Sequence, residues 1–366
     1  NALTATTTGG YNTGIGDRAL TSNTTGQTNN AFGAQALYTN TTGDNNTAVG
    51  HQALYANTTA DNNVAVGYDA LTANTTGYEN IAVGGRSLET NTTGDRNTAI
   101  GYYALKSSTT ADYNSAVGAY ALGSNTTGTN NTTLGYSALY GNTTGQNNTA
   151  VGGNALDSNT TASNNTAVGY LALQANTTGT QNVAVGAYAM DASQTSNYNV
   201  AIGYQALTAN TSGDEHVAVG NEALATNTTG TQNTALGYRT LKANNGSSNT
   251  AVGESAMVSN TTGNNNCAIG RDCLDANTTG TGNVALGVAA LGANTTSNYN
   301  TAIGLDVLQN NKALTFKKTI DTIIDFIGEK AYLISHNNIG FDKPFLLTEM
   351  KKIGYNRPSK WKFIDT

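Results

Sequence analysis

The chain has 366 residues, of which 42 are glycine and only 11% are charged, with two cysteines and a formal net charge of −6 at neutral pH. The negative charge excludes a basic nucleic-acid-binding protein, two cysteines are too few for a disulfide scaffold, and no apolar run approaches the ~18 residues of a membrane span. Because hydrophobic residues still make up 38% of the chain, we expect an ordered protein and not a charge-solvated disordered one.

The composition changes near residue 312, which divides the chain into two parts. Both prolines, the single tryptophan, five of the six phenylalanines, ten of the seventeen basic residues and six of the twenty-three acidic residues follow residue 311. Residues 1–311 therefore carry a formal charge of −10 and residues 312–366 carry +4. We predict a repeat domain at 1–311 and a small α/β segment at 312–366. Because the chain opens within a repeat, on Ala2-Leu3, we also expect it to be a fragment or a processed product.

One glycine recurs at steps of seventeen residues through residues 1–311, with one residue lost in the turn at 244–248. The eighteen copies are Gly16, Gly33, Gly50, Gly67, Gly84, Gly101, Gly118, Gly135, Gly152, Gly169, Gly186, Gly203, Gly220, Gly237, Gly253, Gly270, Gly287 and Gly304. Ala followed by a β-branched residue or Leu usually precedes this glycine, Ala-Leu or Ala-Met usually follows it, and Asn-Thr-Thr-Gly or a close variant comes next. A period this regular indicates a repeat architecture.

The length of the repeat selects the kind of solenoid. Seventeen residues cannot hold the two helices of a helical repeat, which need about 30 or more residues, but they can hold two short strands and two turns. Ala-Val-Gly and Ala-Leu provide the two short segments, and Asn-Thr-Thr-Gly has turn chemistry. We predict an all-β fold, a parallel β-solenoid or β-roll of about eighteen 17-residue rungs. With ~4.8 Å between strands, the rod would be roughly 85 Å long.

Each rung offers a small core, for which we expect one Val or Ile, one Leu and two or three Ala. In the segment 48–50, Val49 faces one side while Ala48 and Gly50 face the other, and neither side is polar. A strand that is apolar on both faces is normally buried on both, and small residues on the second face would admit a neighbouring backbone. We therefore predict self-association as a homotrimer or filament. The alternative is a monomeric solenoid with a flat Ala/Gly face.

These units carry a resemblance to known repeats. Ala-Val-Gly, Ala-Leu and a glycine-containing turn resemble the head repeats of trimeric autotransporter adhesins, and the units at 46–54 and 165–173 resemble repeats of phage and viral tail fibres. The resemblance extends over residues 1–311, although the rung here is longer than in the adhesin heads. It implies a structural or adhesive fibre, extracellular or on a virion surface, that contacts a cell-surface glycan or a host receptor. We expect no enzymatic activity, no cofactor, no metal and no nucleic-acid partner.

Asn-Thr-Thr recurs in one register and matches the N-glycosylation pattern. The candidate asparagines are Asn23, Asn40, Asn57, Asn74, Asn91, Asn125, Asn142, Asn159, Asn176, Asn227, Asn260, Asn277 and Asn294. Glycans on them would line one edge of the rod; the alternative is that these Asn and Thr side chains form ladders between turns. The paired threonines, such as Thr58 and Thr59, suggest a further alternative, an ice-binding solenoid.

Tyrosine often follows the recurrent glycine, at Tyr68, Tyr102, Tyr136, Tyr170, Tyr204 and Tyr238. Exposed tyrosines can stack on sugars or add area to a partner interface, although tyrosine is also an ordinary residue for a solvated β surface. Cys267 and Cys273 occupy slots that small residues fill in other rungs, so we predict two small hydrophobic residues in ladders, with a local disulfide as the alternative. His51 and His216 suggest no role.

The C-terminal segment has an α/β pattern. We predict helices at 315–329 and 344–353 and strands at 331–335 and 361–364. Residues 336–342 resemble the second motif of DEDD-type 3′–5′ exonucleases, with His336 at its start and Asn337 and Asp342 at the motif's Asn and Asp.

That resemblance implies that Asp342 would help to hold two divalent metals. The family's first motif, Asp-x-Glu, does not occur upstream, and its third motif would lie beyond Thr366. One carboxylate cannot build a two-metal site. We therefore predict no nuclease activity. The segment would be a relic of the motif, a domain truncated at both ends, a misjoined reading frame, or a small cap that closes the end of the solenoid. An exonuclease-related protein with a solenoid appendage is the alternative function.

Overall fold

The structure is a computed structural model of the chain that describes residues 1–308 and the strands at 332–335 and 362–365. Residues 1–308 form a parallel β-solenoid with one three-residue strand per rung. The strands are β1 (Thr13–Ile15), β2 (Asn30–Phe32), β3 (Thr47–Val49), β4 (Val64–Val66), β5 (Ile81–Val83), β6 (Thr98–Ile100), β7 (Ser115–Val117), β8 (Thr132–Leu134), β9 (Thr149–Val151), β10 (Thr166–Val168), β11 (Val183–Val185), β12 (Val200–Ile202), β13 (Val217–Val219), β14 (Thr234–Leu236), β15 (Thr250–Val252), β16 (Cys267–Ile269), β17 (Val284–Leu286) and β18 (Thr301–Ile303). They form one eighteen-stranded parallel sheet, which confirms the predicted fold class.

The register between rungs places equivalent residues side by side. Ala48 pairs with Ala65 of the next rung, seventeen residues further along the chain. The step changes to sixteen between β14 and β15, where Thr234 pairs with Thr250. The residue missing from the turn at 244–248 is therefore absorbed within one rung, and the ladders continue through it.

The strands send their middle residue into the solenoid and their first and third residues outward. In β3, Ala48 is fully buried whereas Val49 is 37% exposed. The prediction that Val or Ile joins Leu in the core, with Ala on the outer face, is therefore wrong. Ala48, Ala53 and Leu54 belong to the apolar interior, and one Leu per rung with two small residues fills the narrow space that seventeen residues enclose.

The Ala-Leu segment is not the second strand that we predicted. Gln52 and Leu54 have φ angles of +56° and +52°, in the left-handed region that bulky residues rarely adopt. The backbone amides of Gln52 and Leu54 therefore point in opposite directions along the rod. The Gln52 N–H donates to Ala34 O in the preceding rung at 3.0 Å, and the Leu54 N–H donates to Ala70 O in the following rung at 3.0 Å. The segment thus bonds to both neighbouring rungs without being a strand.

The recurrent glycine allows the rungs to stack at the end of each strand. Gly50 has a φ of +135°, and a Cβ at this position would lie 2.4 Å from the carbonyl oxygen of Gly67. A side chain there meets both a disfavoured conformation and the backbone of the next rung. This explains why the slot holds glycine in all eighteen copies.

In the C-terminal segment the structure describes two strands, β19 (Tyr332–Ser335) and β20 (Lys362–Asp365), which pair in parallel. Both predicted strands are confirmed there, each to within one residue. The predicted helices at 315–329 and 344–353 lie outside the described residues. The division of the chain at residue 311 stays a prediction.

Candidate binding surfaces

The asparagines of the Asn-Thr-Thr motifs line the inside of the solenoid. Asn57 is fully buried, and its Nδ2 donates to Ala60 O at 3.0 Å and to Oδ1 of Asn40 at 2.8 Å. Its own Oδ1 accepts from Nδ2 of Asn74 at 3.1 Å. All thirteen candidate asparagines are at most 3% exposed. The structure shows the turn ladder that was the alternative to glycosylation, and in the folded rung these amides are inaccessible to a glycan.

A second buried asparagine ladder precedes the strands. The backbone N–H of Asn46 donates to Oδ1 of Asn29 at 2.9 Å, and its Nδ2 donates to Ala60 O at 2.8 Å. Buried polar groups need such partners, and here each asparagine bonds to the rung before it and to the rung after it. In most rungs, two of the three larger buried side chains are therefore amides.

His216 replaces asparagine in the second ladder, in the rung of β13. It is fully buried, its Nδ1 accepts the Asn233 N–H at 3.2 Å, and its Nε2 lies 2.7 Å from Gly230 O. Burial lowers the pKa of the imidazole to about 4. A neutral ring with its proton on Nε2 thus provides one acceptor and one donor, as the amide does. Sequence reasoning gave this residue no role.

The first threonine of the Asn-Thr-Thr turn forms a ladder of hydrogen bonds between rungs. Thr58 Oγ1 donates to Thr75 O in the next rung at 3.1 Å, and the same bond recurs along the rod. Thr59 is exposed, so a turn of this kind offers one outward threonine, in a single column along the rod. The paired turn threonines therefore do not form the flat two-column array that the ice-binding alternative needs.

The outer face of the sheet carries a continuous apolar column, formed by the third residue of each strand. All eighteen members are Val, Ile, Leu or Phe, and each is half-buried or exposed. The members are Ile15, Phe32, Val49, Val66, Val83, Ile100, Val117, Leu134, Val151, Val168, Val185, Ile202, Val219, Leu236, Val252, Ile269, Leu286 and Ile303. We call this set the apolar column. At ~4.8 Å per rung it extends for about 80 Å. An exposed apolar surface of this length is typical of an interaction site.

Two residues beyond the apolar column lie the six predicted tyrosines, Tyr68, Tyr102, Tyr136, Tyr170, Tyr204 and Tyr238, which we call the tyrosine column. They are 43% to 59% exposed, as a contact surface requires. Successive members are 34 residues, or two rungs, apart. The intervening rungs carry Gly85, Ala119, Gly153, Ala187 and Asn221 at this position.

The small intervening residues make room for the rings. A Cβ at Gly85 would lie 3.4 Å from Cδ2 of Tyr102, and one at Gly153 would lie 3.5 Å from Cδ2 of Tyr170. Each of these rings therefore reaches back over the glycine of the rung before it. The alternation of large and small residues is a packing arrangement along the rod.

Two further tyrosines pack between members of the column. Tyr120 contacts Tyr102 and Tyr136 in edge-to-face geometry, with ring centroids 5.7 and 5.9 Å apart. Tyr188 contacts Tyr170 and Tyr204 in the same way, at 5.6 and 6.0 Å. Edge-to-face pairs of this kind add about 0.5–1.5 kcal/mol each, so they hold the spacing of the column.

A groove of about 190 Å³ interrupts the repeat next to Tyr120. Tyr103, Tyr120 and Tyr140 line it together with Lys106, and Gly123 forms part of its wall. Gly123 occupies the slot after the recurrent Leu, where the adjacent rungs carry Lys106 and Tyr140. Sequence reasoning missed this groove, although one glycine between two large residues in a column was a readable signal.

Hydrogen bonds orient the side chains beside the groove. The Arg86 guanidinium donates to Oη of Tyr103 at 2.8 Å, and Nζ of Lys106 lies 4.5 Å from the centre of the Tyr103 ring. A hydrogen bond from the Tyr102 hydroxyl, followed by that from Arg86, lowers the pKa of Tyr103, and the same bond raises the pKa of Tyr102. Glu89 lies 3.7 Å from Arg86 and 3.9 Å from Lys106, and Asp69 lies 3.8 Å from Arg86. Two carboxylates therefore balance the two cations.

The remaining candidates do not assemble into a chemical site. Cys273 is buried and Cys267 half-buried, and neither forms a disulfide, which confirms the prediction of small hydrophobic residues; burial raises the pKa of Cys273 to about 11. His51 stacks on Tyr68 with ring centroids 5.6 Å apart. Within residues 1–308, no three His, Cys, Asp or Glu side chains come together as a metal site would need.

No helix able to cross a membrane occurs in the part of the chain that the structure describes. His336, Asn337 and Asp342 lie outside that part. Comparison with known protein families, with characterised proteins and with solved structures finds no match.

Proposed function

We propose that this chain is a structural and adhesive fibre protein, located outside the cell or on a virion surface, in which several copies associate along the apolar column. The observation that carries the proposal is the unbroken run of eighteen exposed or half-buried apolar residues on the outer sheet face. Monomeric proteins rarely leave an apolar surface of this length in water. The predicted homotrimer is one closed arrangement that would cover it, and a filament is another.

The interior supports a mechanical role. Both ladders of buried amides and the backbone bonds outside the strands recur along the rod, with Ser108, Ser193 and His216 in place of asparagine, so each rung is bonded to both of its neighbours. Stability of such an array rises with the number of stacked repeats. Tyrosines and turn residues then remain on the outside for contact with a glycan or a receptor protein. The proposal includes no enzymatic activity, no cofactor and no nucleic-acid partner.

Sedimentation of the full chain tests the association. We expect a mass of three chains or a larger multiple of the 37.6 kDa protomer. The double variant Val151→Lys/Val185→Lys places charges in the middle of the apolar column and should sediment as one chain. The matched control, Thr161→Lys/Thr178→Lys, places the same charges on exposed turn threonines and should associate like the parent.

A parent chain that sediments as a protomer at micromolar concentration would contradict the association. Mg²⁺-dependent degradation of single-stranded DNA by the full chain, lost in Asp342→Ala, would instead support the exonuclease-related alternative. Thermal hysteresis would support the ice-binding alternative.

A further inference from the structure

We propose that the tyrosine column binds an extended, uncharged β-1,4-linked polysaccharide of the glucan or N-acetylglucosamine type, laid parallel to the rod axis. This inference names the ligand class for the adhesive part of the proposed function and rests on that function. It depends on the spacing, the packing and the charge of the column.

The spacing of the tyrosines matches the repeat of such a chain. Members of the column follow one another every second rung, which is about 9.6 Å along the rod. In an extended β-1,4-linked chain each sugar is turned over relative to the one before. The same face therefore recurs once per disaccharide, at nearly this distance. Six tyrosines at equal steps would meet six successive disaccharides on the same face.

The rings provide the right kind of surface. About half of each side chain in the column meets solvent, so each ring presents apolar surface to a ligand. A pyranose ring with equatorial hydroxyls presents C–H groups on its faces, and these pack on an aromatic ring as apolar surface does. The hydroxyls at the sugar's rim stay in water, so binding leaves no polar group buried without a partner.

The column is organised before any ligand binds. Gly85 and Gly153 leave room for the rings of Tyr102 and Tyr170, and Tyr120 and Tyr188 pack edge-on between neighbouring members. Because these contacts limit the motion of the rings, binding orders few additional side chains. Preorganisation of this kind raises affinity.

The charge of the column selects a neutral chain. From Tyr68 to Tyr238 every residue at this position is Tyr, Gly, Ala or Asn. Arg86 and Lys106, which lie beside the column, are matched by nearby Asp69 and Glu89. A uronic-acid or sulfated chain would find no net positive surface, so electrostatic attraction offers no reason to prefer it.

Binding of defined oligosaccharides to the full chain by calorimetry tests the inference. We expect cellohexaose or chitohexaose, each three disaccharides long, to bind at least tenfold more tightly than the corresponding disaccharide. Maltohexaose, whose α-1,4 linkages curve the chain, should bind at least tenfold more weakly than the better of the two. Comparison of the glucose and N-acetylglucosamine series shows which of the two chains is preferred.

Variants separate the column from exposed aromatic surface in general. Tyr102→Ala/Tyr136→Ala/Tyr170→Ala should weaken hexasaccharide binding at least tenfold. The control Tyr113→Ala/Tyr198→Ala/Tyr299→Ala removes three tyrosines that are 51% to 82% exposed but lie in the turn before the strand, and should bind within twofold of the parent. A register variant, Tyr136→Ala/Ala119→Tyr, keeps six tyrosines but shifts one by a rung, and should also bind more weakly.

Circular dichroism and sedimentation confirm that each variant is folded and associated as the parent is. Equal loss in the column and control variants, full binding by the register variant, or no binding of either β-1,4 series would overturn the inference. Each of these results leaves the fibre proposal intact if the parent chain still associates. Loss of association in the parent, by contrast, is the result that removes the proposed function.

Discussion

Nδ1 of His216 accepts the backbone N–H of Asn233 at 3.2 Å, in the slot where other rungs use the Oδ1 atom of an asparagine. On the other side of the ring, Nε2 lies 2.7 Å from Gly230 O, where Nδ2 of an asparagine donates in other rungs. Only the neutral imidazole can make both bonds, because protonation turns Nδ1 into a donor that faces another donor. One rung of the solenoid therefore contains a titratable group within a neutral ladder.

We expect this rung to make the rod sensitive to acid. Burial lowers the pKa of His216 from 6.5 to about 4, so the unfolded chain takes up a proton before the folded chain does. The contribution of His216 to stability is complete above pH 6.5 and is lost as the pH falls toward 4. The pKa of His216 in the folded chain lies two to three pH units below its value in the unfolded chain. Full protonation therefore lowers the free energy of unfolding by about 3 kcal/mol.

Urea denaturation of the parent and of His216→Asn, at pH 7.5 and pH 4.5, measures this effect. The parent should lose about 2.5 kcal/mol more than the variant between the two values, because titration of the carboxylates is common to both proteins. His51→Asn, at an exposed histidine, should behave like the parent. Equal losses in the parent and His216→Asn would show that the imidazole is not held neutral.

Substitution of the buried leucine should reveal the left-handed backbone of its segment. Leu139 is fully buried and has a φ of +55°; in all described rungs this slot holds Leu or Met and never Ile or Val. Ile and Leu have similar volumes, and their exchange in a core usually costs less than ~1.5 kcal/mol. A β-branched side chain is disfavoured at positive φ, so we expect Leu139→Ile to cost about 3 kcal/mol.

The control for this substitution is Leu139→Met, since Met190 and Met257 occupy the equivalent slot. It should cost at most about 1 kcal/mol in urea denaturation. Similar costs for the two variants would mean that side-chain shape, and not backbone conformation, determines which residues the slot accepts.

Two glycines of one rung should differ in their tolerance of alanine. Gly152 has a φ of +132°, and its Cβ would lie 2.4 Å from Gly169 O, so we expect Gly152→Ala to cost about 3 kcal/mol or more. Gly145 lies in a turn without positive φ, and Ala60 and Ala162 occupy its equivalent slot.

Gly145→Ala should therefore change the free energy of unfolding by no more than about 1 kcal/mol. The ideal Cβ at Gly145 also lies close to a carbonyl, at 2.2 Å from Ala162 O. Comparison of the thermal midpoints of Gly152→Ala and Gly145→Ala thus separates the effect of backbone conformation from that of steric contact with the next rung. A large loss in Gly145→Ala would show that the turn cannot shift as it does around the native alanines.

The period of the sequence was sufficient to predict the solenoid, its parallel order and the skipped residue, because each of these follows from which residues stack. The period did not predict which residues of each strand point into the solenoid. In Ala48-Val49 both residues are apolar, so the pattern does not say which one points inward, and the size of the enclosed space decides. The polar interior also misled us, since Asn57 is buried although asparagine is usually exposed.

The binding surfaces were predictable only in part. Exposure of the tyrosines followed from their place after the strand, but their two-rung alternation with glycine and alanine became meaningful only once the step between rungs was known. Tyr120 and the groove beside Gly123 depend on contacts between neighbouring rungs. His216 looked isolated because its partners, Asn233 and Gly230, are recognisable only in the folded rung.

Replacing the amide nitrogen of one ladder asparagine with a carboxylate oxygen should destabilise the solenoid. Nδ2 of Asn142 donates to Oδ1 of Asn125 at 2.8 Å and to Gly145 O at 3.0 Å, and its Oδ1 accepts from Nδ2 of Asn159 at 2.9 Å. Asn142→Asp keeps the shape of the side chain, removes both donated bonds and places a carboxylate against two oxygens in a buried site. We expect a cost of about 3–5 kcal/mol at pH 7.

The matched control is Asn142→Ser, because Ser108 and Ser193 occupy this slot in the native chain. Serine removes the same donated bonds without burying a charge, so its cost should be about 1–2 kcal/mol. Lowering the pH should recover part of the loss in Asn142→Asp, because the protonated carboxyl can again donate one hydrogen bond, and should recover none in Asn142→Ser. Equal urea midpoints for the two variants at pH 7 would show that the ladder tolerates a buried charge, and that its amides are not what holds the rungs together.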